Sequence, residues 1–300
     1  MLRGPDHERV IAMTDVVVAC GQVQPILGDL AANREITTAA ILDAAASGAR
    51  VIVLPELASS GYAFEDGDEA RAAAEPANGP TVTLWQRHAA DLDVVIVGGF
   101  CEQDVNGTIK NSAALVDPSG LRAIYRKAHL WDAERLIFEP GRLPPPVVDT
   151  VVGRLSVMIC YDLEFPEWVR LPALAGTQLL CAPVNWPKYP RPEGERPGEV
   201  TRVQTDAAVN RMYIAACDRV GSERGIDWVG GSTIVDADGW PLAGANASTE
   251  PTVFTASCRL TDANDKGVGG LSNIHADRRP DLYGGALEVA LVRPASTNVG

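Results

Sequence analysis

Residues Ser156 to Trp168 read SVMICYDLEFPEW. The run GRLSVMIC, from Gly153, has the composition of a short buried strand, and it stops at Cys160. Three carboxylates follow within seven residues: Asp162, Glu164 and Glu167. A buried structural thiol rarely has so much negative charge beside it. A nucleophilic thiol works as its thiolate and is normally found near positive charge. The stretch therefore predicts a strand that ends on a functional cysteine, with a cation supplied from elsewhere in the chain.

Working outward, further apolar runs read as buried strands: VVVACGQV from Val16, RVIVLP from Arg50, DVVIVGGF from Asp93 and SAALVDP from Ser112. TQLLCAPV from Thr177, MYIAACDRV from Met212 and GSTIVDADG from Gly231 extend the series. Helical patterns lie between many of them. LAANREITTAAILDAAASG carries apolar residues at helical spacing and ends on Gly48, a residue suited to the position after a helix. PTVTLWQRHAADLD and PGEVTRVQTDAAVNRM behave alike. Asp117-Pro-Ser-Gly120 and Asp236-Ala-Asp-Gly239 read as hairpin turns. Strands alternating with helices, plus hairpins, predict an α/β domain with mixed sheets. The expectation is one domain over residues 16–300, behind a polar leader of residues 1–15. Trp186 to Gly198, WPKYPRPEGERPG, is too rich in proline for helix or strand and reads as an ordered loop, either rimming a site or crossing the surface.

The chain of 300 residues is 46% hydrophobic and 22% charged, enough apolar content for a sizeable core. A formal net charge of −13 argues against nucleic acid or an anionic membrane surface as partner, since both ask for Lys/Arg patches. No apolar run approaches the roughly 18 residues of a membrane span. MLRGPDHERVIAMTD lacks the apolar stretch of a secretion signal, so a cytoplasmic location is expected. The six cysteines form no C-x-x-C pair and read as scattered thiols. The four histidines are too dispersed for a metal site.

G-x-S-x-G, G-x-x-x-x-G-K-[ST] and G-x-G-x-x-G are absent, which removes serine α/β-hydrolases, P-loop NTPases and Rossmann oxidoreductases as first choices. Three residues stand where a strand hands over to a loop: Glu56 after RVIVLP, Lys127 after LRAIYR, and Cys160. Taken singly, Glu56 reads equally as a turn cap, Lys127 as a solvated cation and Cys160 as a core thiol. Together they meet one chemical need. A thiol attacking an amide requires a base for its proton and a cation for the charge that develops on oxygen. A glutamate serves as base when burial and neighbouring carboxylates raise its pKa.

These segments resemble the nitrilase, or carbon–nitrogen hydrolase, superfamily. PELASSGY around Glu56, YRKAHLW around Lys127 and CYDLEFPE from Cys160 are similar to the family's three catalytic motifs, in the same order. GQVQPILGDLAANREI, NSAALVDPSG, FEPG, GGSTIVDADGWPLA and the terminal DRRPDLYG agree with them, so the likeness runs from about Val16 to Gly284. The resemblance implies a four-layer αββα sandwich, a homodimer or larger homo-oligomer, a Glu-Lys-Cys triad and no cofactor or metal. It also implies a second glutamate that helps place the substrate, for which Glu134 is the matching residue; an exposed helix is the alternative reading of that segment. The backbone N–H of Tyr161 follows the nucleophile and is a natural second donor to an oxyanion.

The superfamily spans nitrilases, amidases, ω-amidases and carbamoyl amidohydrolases, and three departures narrow the choice. Tyr161-Asp162 stands where nitrilases carry Trp-Glu, which resembles the amidase side. Leu163 and Glu164 stand where relatives acting on acidic substrates place arginine, and the next arginine is Arg170. Facing the pocket, Glu164 would disfavour acidic substrates. Asn185 and Trp186 are candidate pocket walls, with ordinary core the alternative for Trp186. FEDGDEA from Phe64 reads as a solvated helix start, with an acidic flank to the site entrance as the alternative. The expectation is an amidase for small neutral or amine-bearing carboxamides, with a nitrilase or an N-carbamoyl amine amidohydrolase as rivals.

Overall fold

Val18 and Cys20 point into one apolar core and Ala19, between them, into another; Val51, Ile52 and Val53 alternate in the same way. That period of two is what a strand buried on both faces requires. A computed structural model describes residues 15–289, with side chains as far as Gly284. The leader expected over residues 1–15 lies, apart from Asp15, outside the described residues.

Residues up to Asp265 make one compact unit. Its first sheet contains β1 (Val16–Gln22), β2 (Val51–Val53), β3 (Val95–Gln103), β4 (Ile109–Asp117) and β5 (Gly120–Arg126). The second contains β6 (Val147–Thr150), β7 (Gly153–Val157), β8 (Leu179–Pro183) and β9 (Tyr213–Cys217). A two-strand ribbon follows, β10 (Ser222–Glu223) with β11 (Ile226–Asp227). Then β12 (Thr233–Val235) and β13 (Pro241–Gly244) complete the second sheet, and β14 (Thr252–Cys258) returns to the first. The orders are β14-β1-β2-β3-β4-β5 and β13-β12-β9-β8-β7-β6. In each sheet three neighbouring strands run parallel, β1-β2-β3 and β7-β8-β9, and antiparallel strands flank them. The pattern is repeated from half to half although the sequence shows no fixed-period repeat.

The inner faces of both sheets share one core, where Val18, Val53 and Val97 join Val157, Cys181 and Ile214. The Cys20 thiol donates across this interior to the carbonyl of Ala216 at 3.5 Å. On the outer face of the first sheet, α1 (Leu30–Ala46) and α3 (Pro80–Leu92) pack Ile41 and Trp85 against Ile52 and Ile96; the short α2 is Gly67–Ala72. α4 is Glu134–Ile137; α5 (Pro166–Leu174) and α6 (Gly198–Asn210) cover the second sheet through Val169, Ala173, Val200 and Val203. The layers are thus helix, sheet, sheet, helix. α1 begins where Asp29 accepts the Ala32 N–H at 3.0 Å, and it stops at Gly48, whose φ of +85° an L side chain resists.

The Asp117–Gly120 and Asp236–Gly239 turns join hairpins as expected. The short β10–β11 ribbon has no counterpart among the predicted runs, and in the two large sheets neither do β6, β13 and β14. These last three are at or beside a sheet edge and carry polar or proline residues, which blurs the alternation. Helix α5 was hidden by Pro172 inside it. Residues from Lys266 make a second unit, described as far as 289, in which α7 (Pro280–Val289) begins and Arg279 pairs with Asp281. The DRRPDLYG motif belongs to that unit. No helix among the described residues is long and apolar enough to cross a membrane.

One carboxyl in α6 is paired poorly. Asp206 is buried, its Oδ2 has no hydrogen-bond partner, and burial pushes its pKa up to about 7 against the opposing pull of Arg202. The folded pKa lies above the unfolded value of 3.8, so the folded state holds the extra proton between these limits. Its contribution to stability therefore falls as pH rises from about 4 to 7. Asp206→Asn should stabilise the fold by about 1–3 kcal/mol at pH 8 and by little at pH 4. Urea unfolding at both pH values measures this; an equal change at both would assign the effect to packing.

Candidate active site

Glu56 lies three residues past the end of β2, where the chain turns away from the sheet. The turn is pinned to β3: Leu54 N–H donates to Val97 O at 2.8 Å and Gly99 N–H to Pro55 O at 3.1 Å. Gly99 permits this approach, because a Cβ there would lie 2.5 Å from Leu57 N and 2.6 Å from Glu56 Cα. Leu57 adopts a φ of +49°, a strained value for a branched residue that this packing enforces.

Lys127 follows β5 directly, and its ammonium is fully buried between two carboxylates. Nζ lies 2.7 Å from Glu56 Oε1 and 2.7 Å from Glu134 Oε1. Asn111 Nδ2 donates to the same Glu56 oxygen at 2.7 Å. Glu134 is buried although Arg135 and Leu136, which follow it in α4, are exposed; besides Lys127 it accepts the Tyr62 hydroxyl at 2.7 Å and the Trp131 N–H at 3.0 Å. Glu56 Oε2 alone among these carboxylate oxygens has no hydrogen-bond partner.

Cys160 sits at a sharp corner, with a φ of +45°, between β7 and a 3₁₀ turn over Cys160–Glu164. Its thiol donates to the carbonyl of Asn185 at 3.6 Å, and Asn185 Nδ2 donates to the carbonyl of Glu56 at 2.9 Å. Asp162 anchors the corner. It is buried and accepts from the Ile159 N–H, the backbone N–H and Nδ1–H of His129 and the Tyr125 hydroxyl, at 2.7–3.2 Å. Tyr125 and His129 flank Lys127, so Asp162 ties the cysteine corner to the lysine segment.

Burial shapes the electrostatics. It pushes Glu56 up to about 7, with Lys127 pulling down and Glu134 adding to the rise. Burial alone would lower Lys127, but Glu134 and Glu56 overcome it and hold the ammonium charged. Cys160 is raised well above an ordinary thiol, by burial first and by Glu56 second, and Lys127 only partly offsets them. The cation missing from SVMICYDLEFPEW is thus present, yet it does not make a resting thiolate. A carboxyl with a pKa near 7 close to a protonated thiol has the properties that a general base needs.

A cavity of about 50 Å³ opens over Cys160, lined also by Tyr62, Trp131, Tyr161, Glu164, Asn185 and Trp186. Every residue expected at the site is therefore either on this wall or in the hydrogen-bonded cluster of Glu56, Lys127 and Glu134. Trp186 is also almost fully buried, so the pocket and core readings both hold. Pro187 and Tyr189 come from the proline-rich loop, which does rim the site, and Glu199 from the first turn of α6. Glu164 is not an isolated charge: Arg202 of α6, 38 residues further along the chain, reaches it at 3.2 Å. FEDGDEA is the solvated helix start expected, with Asp66 capping α2 and Glu69 held by Arg224. Sequence reading passed over Tyr62, Asn111, Glu199 and Arg202. Tyr62 and Asn111 stand inside quoted motifs; for Glu199 and Arg202 the chain carries no local signal. Among the described residues no cluster could hold a metal ion.

The family model for carbon–nitrogen hydrolases matches residues 17–265. A nitrilase of Pyrococcus abyssi is 35% identical over 271 residues, covering 89% of this chain and 99% of that protein. An N-carbamoylputrescine amidase of Arabidopsis thaliana is 30% identical over 295 residues, covering 92% and 95%. Among solved structures, a variant of the amidase from Nesterenkonia sp. AN1 superposes with a TM-score of 0.74 at 26% identity, covering 91% of this chain and 97% of that one. That structure carries the acetamide moiety of fluoroacetamide covalently on its active-site cysteine.

Proposed function

This chain belongs to the carbon–nitrogen hydrolase family, and from that premise we propose that it hydrolyses small carboxamides through a thioester on Cys160. The observation that carries the reading is the buried Lys127 ammonium, 2.7 Å from both Glu56 and Glu134, beside a Glu56 oxygen left without a partner. Glu56 takes the thiol proton as sulfur attacks the carbonyl carbon. The oxygen that becomes anionic is held by Lys127 and the Tyr161 N–H. Glu56 returns the proton to the leaving nitrogen, ammonia departs, and the thioester remains. Glu56 then takes a proton from water, whose oxygen attacks the thioester and releases the acid, and the sulfur recovers its proton. Glu134 holds Lys127 and shapes the floor of the site.

The wall supports a preference for neutral or amine-bearing substrates. Glu164 and Glu199 bring two negative charges, and Arg202 offsets one of them. Tyr62, Trp131, Tyr161, Trp186 and Tyr189 supply aromatic faces suited to an apolar chain or an ammonium group. A cavity near 50 Å³ admits a short acyl group. Ammonia release across short neutral amides, amine-bearing amides, half-amides with a free carboxylate, ureido compounds and nitriles tests this. Neutral and amine-bearing amides should exceed the half-amides by at least about tenfold in kcat/KM, the order of one unfavourable charge contact. Equal turnover of the half-amides would overturn the preference, and faster turnover of nitriles or ureido compounds would overturn the carboxamide assignment.

A further inference from the structure

Tyr62 is the one side chain that both lines the cavity and bonds the carboxylate cluster beneath it. Its hydroxyl shares Glu134 Oε1 with the Lys127 ammonium, each at 2.7 Å. The residue is held from behind by groups belonging to the second half of the chain. Glu223 Oε2 in β10 accepts the N–H of Tyr62 and of Ala63, each at 3.0 Å. Its other oxygen makes a 2.7 Å ion pair with Arg219, which is fully buried just after β9. Arg219 lies 4.9 Å from the ring centre of Trp228, and that ring meets Tyr62 edge-on at 5.3 Å. Gly61 makes room for this: a Cβ there would lie 2.7 Å from Glu223 Oε1. A buried ion pair is costly to assemble, and this one fixes the backbone of Tyr62 and Ala63 and, through Trp228, the Tyr62 ring.

We propose that Tyr62 is a positioning residue for the reaction: held by the Arg219–Glu223 clamp, its hydroxyl governs how the Lys127 ammonium is shared between Glu134 and Glu56. The inference rests on the reading of Glu56 as the base. With the hydroxyl in place, Glu134 is partly satisfied by a neutral donor, and Lys127 stays available to Glu56. Without it, Glu134 draws the ammonium toward itself, and Glu56 loses part of the strongest interaction that stabilises its charge. The groups facing Glu56 are Lys127, Glu134, Tyr62 and Cys160, with Arg219 farther off. Of these only Lys127 and Arg219 are cations, so weakening the lysine contact makes Glu56 harder to ionise.

The test is the pH dependence of kcat/KM, together with the pH dependence of Cys160 alkylation by iodoacetamide, located by mass spectrometry. Alkylation needs no substrate, and the other five cysteines are buried. In the native enzyme both rates should rise through pH about 7 as Glu56 ionises. In Tyr62→Phe, which keeps the ring on Trp228, that limb should move up by about half a pH unit or more. kcat should fall about tenfold, as expected for losing a hydrogen bond to a charged group, with KM within about twofold. Replacing Tyr62 by a fluorotyrosine, a stronger donor of the same shape, should move the limb down; it also serves if the phenylalanine variant does not fold. A limb unmoved in both variants overturns the proposal, even if kcat falls. If Glu56→Gln abolishes the limb while the Tyr62 variants leave it unmoved, the Tyr62 proposal fails alone; if Glu56→Gln preserves the limb, the base assignment fails with it.

Discussion

Cys160→Ala is expected to remove at least about 10⁴-fold of kcat while thermal unfolding stays within about 2 °C of the native protein. The two halves of this result have separate physical grounds. Without sulfur no acyl-enzyme forms, and neither Glu56 nor Lys127 offers another nucleophile. What remains is hydrolysis assisted by binding and oxyanion contacts alone. Stability is spared because the corner does not depend on the thiol. Its one hydrogen bond, to Asn185 O, is 3.6 Å long, whereas the anchoring is done by Asp162 through four donors. Alanine meets the φ of +45° no worse than cysteine does. Ammonia release and calorimetry on the same preparation measure both halves. Turnover within tenfold of native would end the nucleophile assignment.

Lys127→Met is expected to cost stability as well as activity, and the stability loss should depend on pH. The substitution fills the same space but leaves Glu56 and Glu134 buried with no cation. Breaking a buried pair from one side costs about 3–5 kcal/mol, far more than an exposed one. Two carboxylates in that position bind protons more readily folded than unfolded. Glu56, already near 7 with the lysine present, would rise further once its main stabiliser is gone. The folded state then holds the extra protons above the unfolded carboxylate range near pH 4.5, so the variant loses stability as pH rises from there. Unfolding in urea should show a deficit of about 3–5 kcal/mol at pH 8 and about 1–2 kcal/mol at pH 5. An equal deficit at both would mean that packing, and not charge, is what Lys127 supplies. Activity should be absent at either pH, because nothing else in the cluster carries positive charge to the oxyanion.

Both predictions concern residues that the chain announces locally, and their partners are residues that it does not. Glu56, Lys127 and Cys160 each follow an apolar run of strand-like composition, and β2, β5 and β7 end next to them. Because a strand alternates with a period of two, burial on both faces is written into Val51-Ile52-Val53 directly. The strands that escaped notice, β6, β13 and β14, bury less and so carry weaker patterns. Glu164 is the instructive residue. Its place beside Cys160 suggested a negative charge on the wall, and Glu164 does line the cavity. Arg202, which pairs with it, comes from a helix nearly forty residues later, where nothing in its neighbours distinguishes it from any exposed arginine.

The sequence by itself determined the α/β class with mixed sheets, the order of the three motifs and the residue types available for chemistry. These depend on local periodicity and composition, which neighbouring residues carry. Only the tertiary structure decided the protonation chemistry. Cys160 is followed by acids, but Asp162 is consumed in anchoring, and Glu167 lies on an exposed helix start. Glu56 has a pKa near 7, and not that of an ordinary carboxylate, because it is buried with one lysine shared between two acids. A pKa reports burial and the charges within a few ångströms, and here those charges come from segments 71 and 7 residues from Lys127 along the chain. Folding brings them together, and no local stretch of sequence contains that distance.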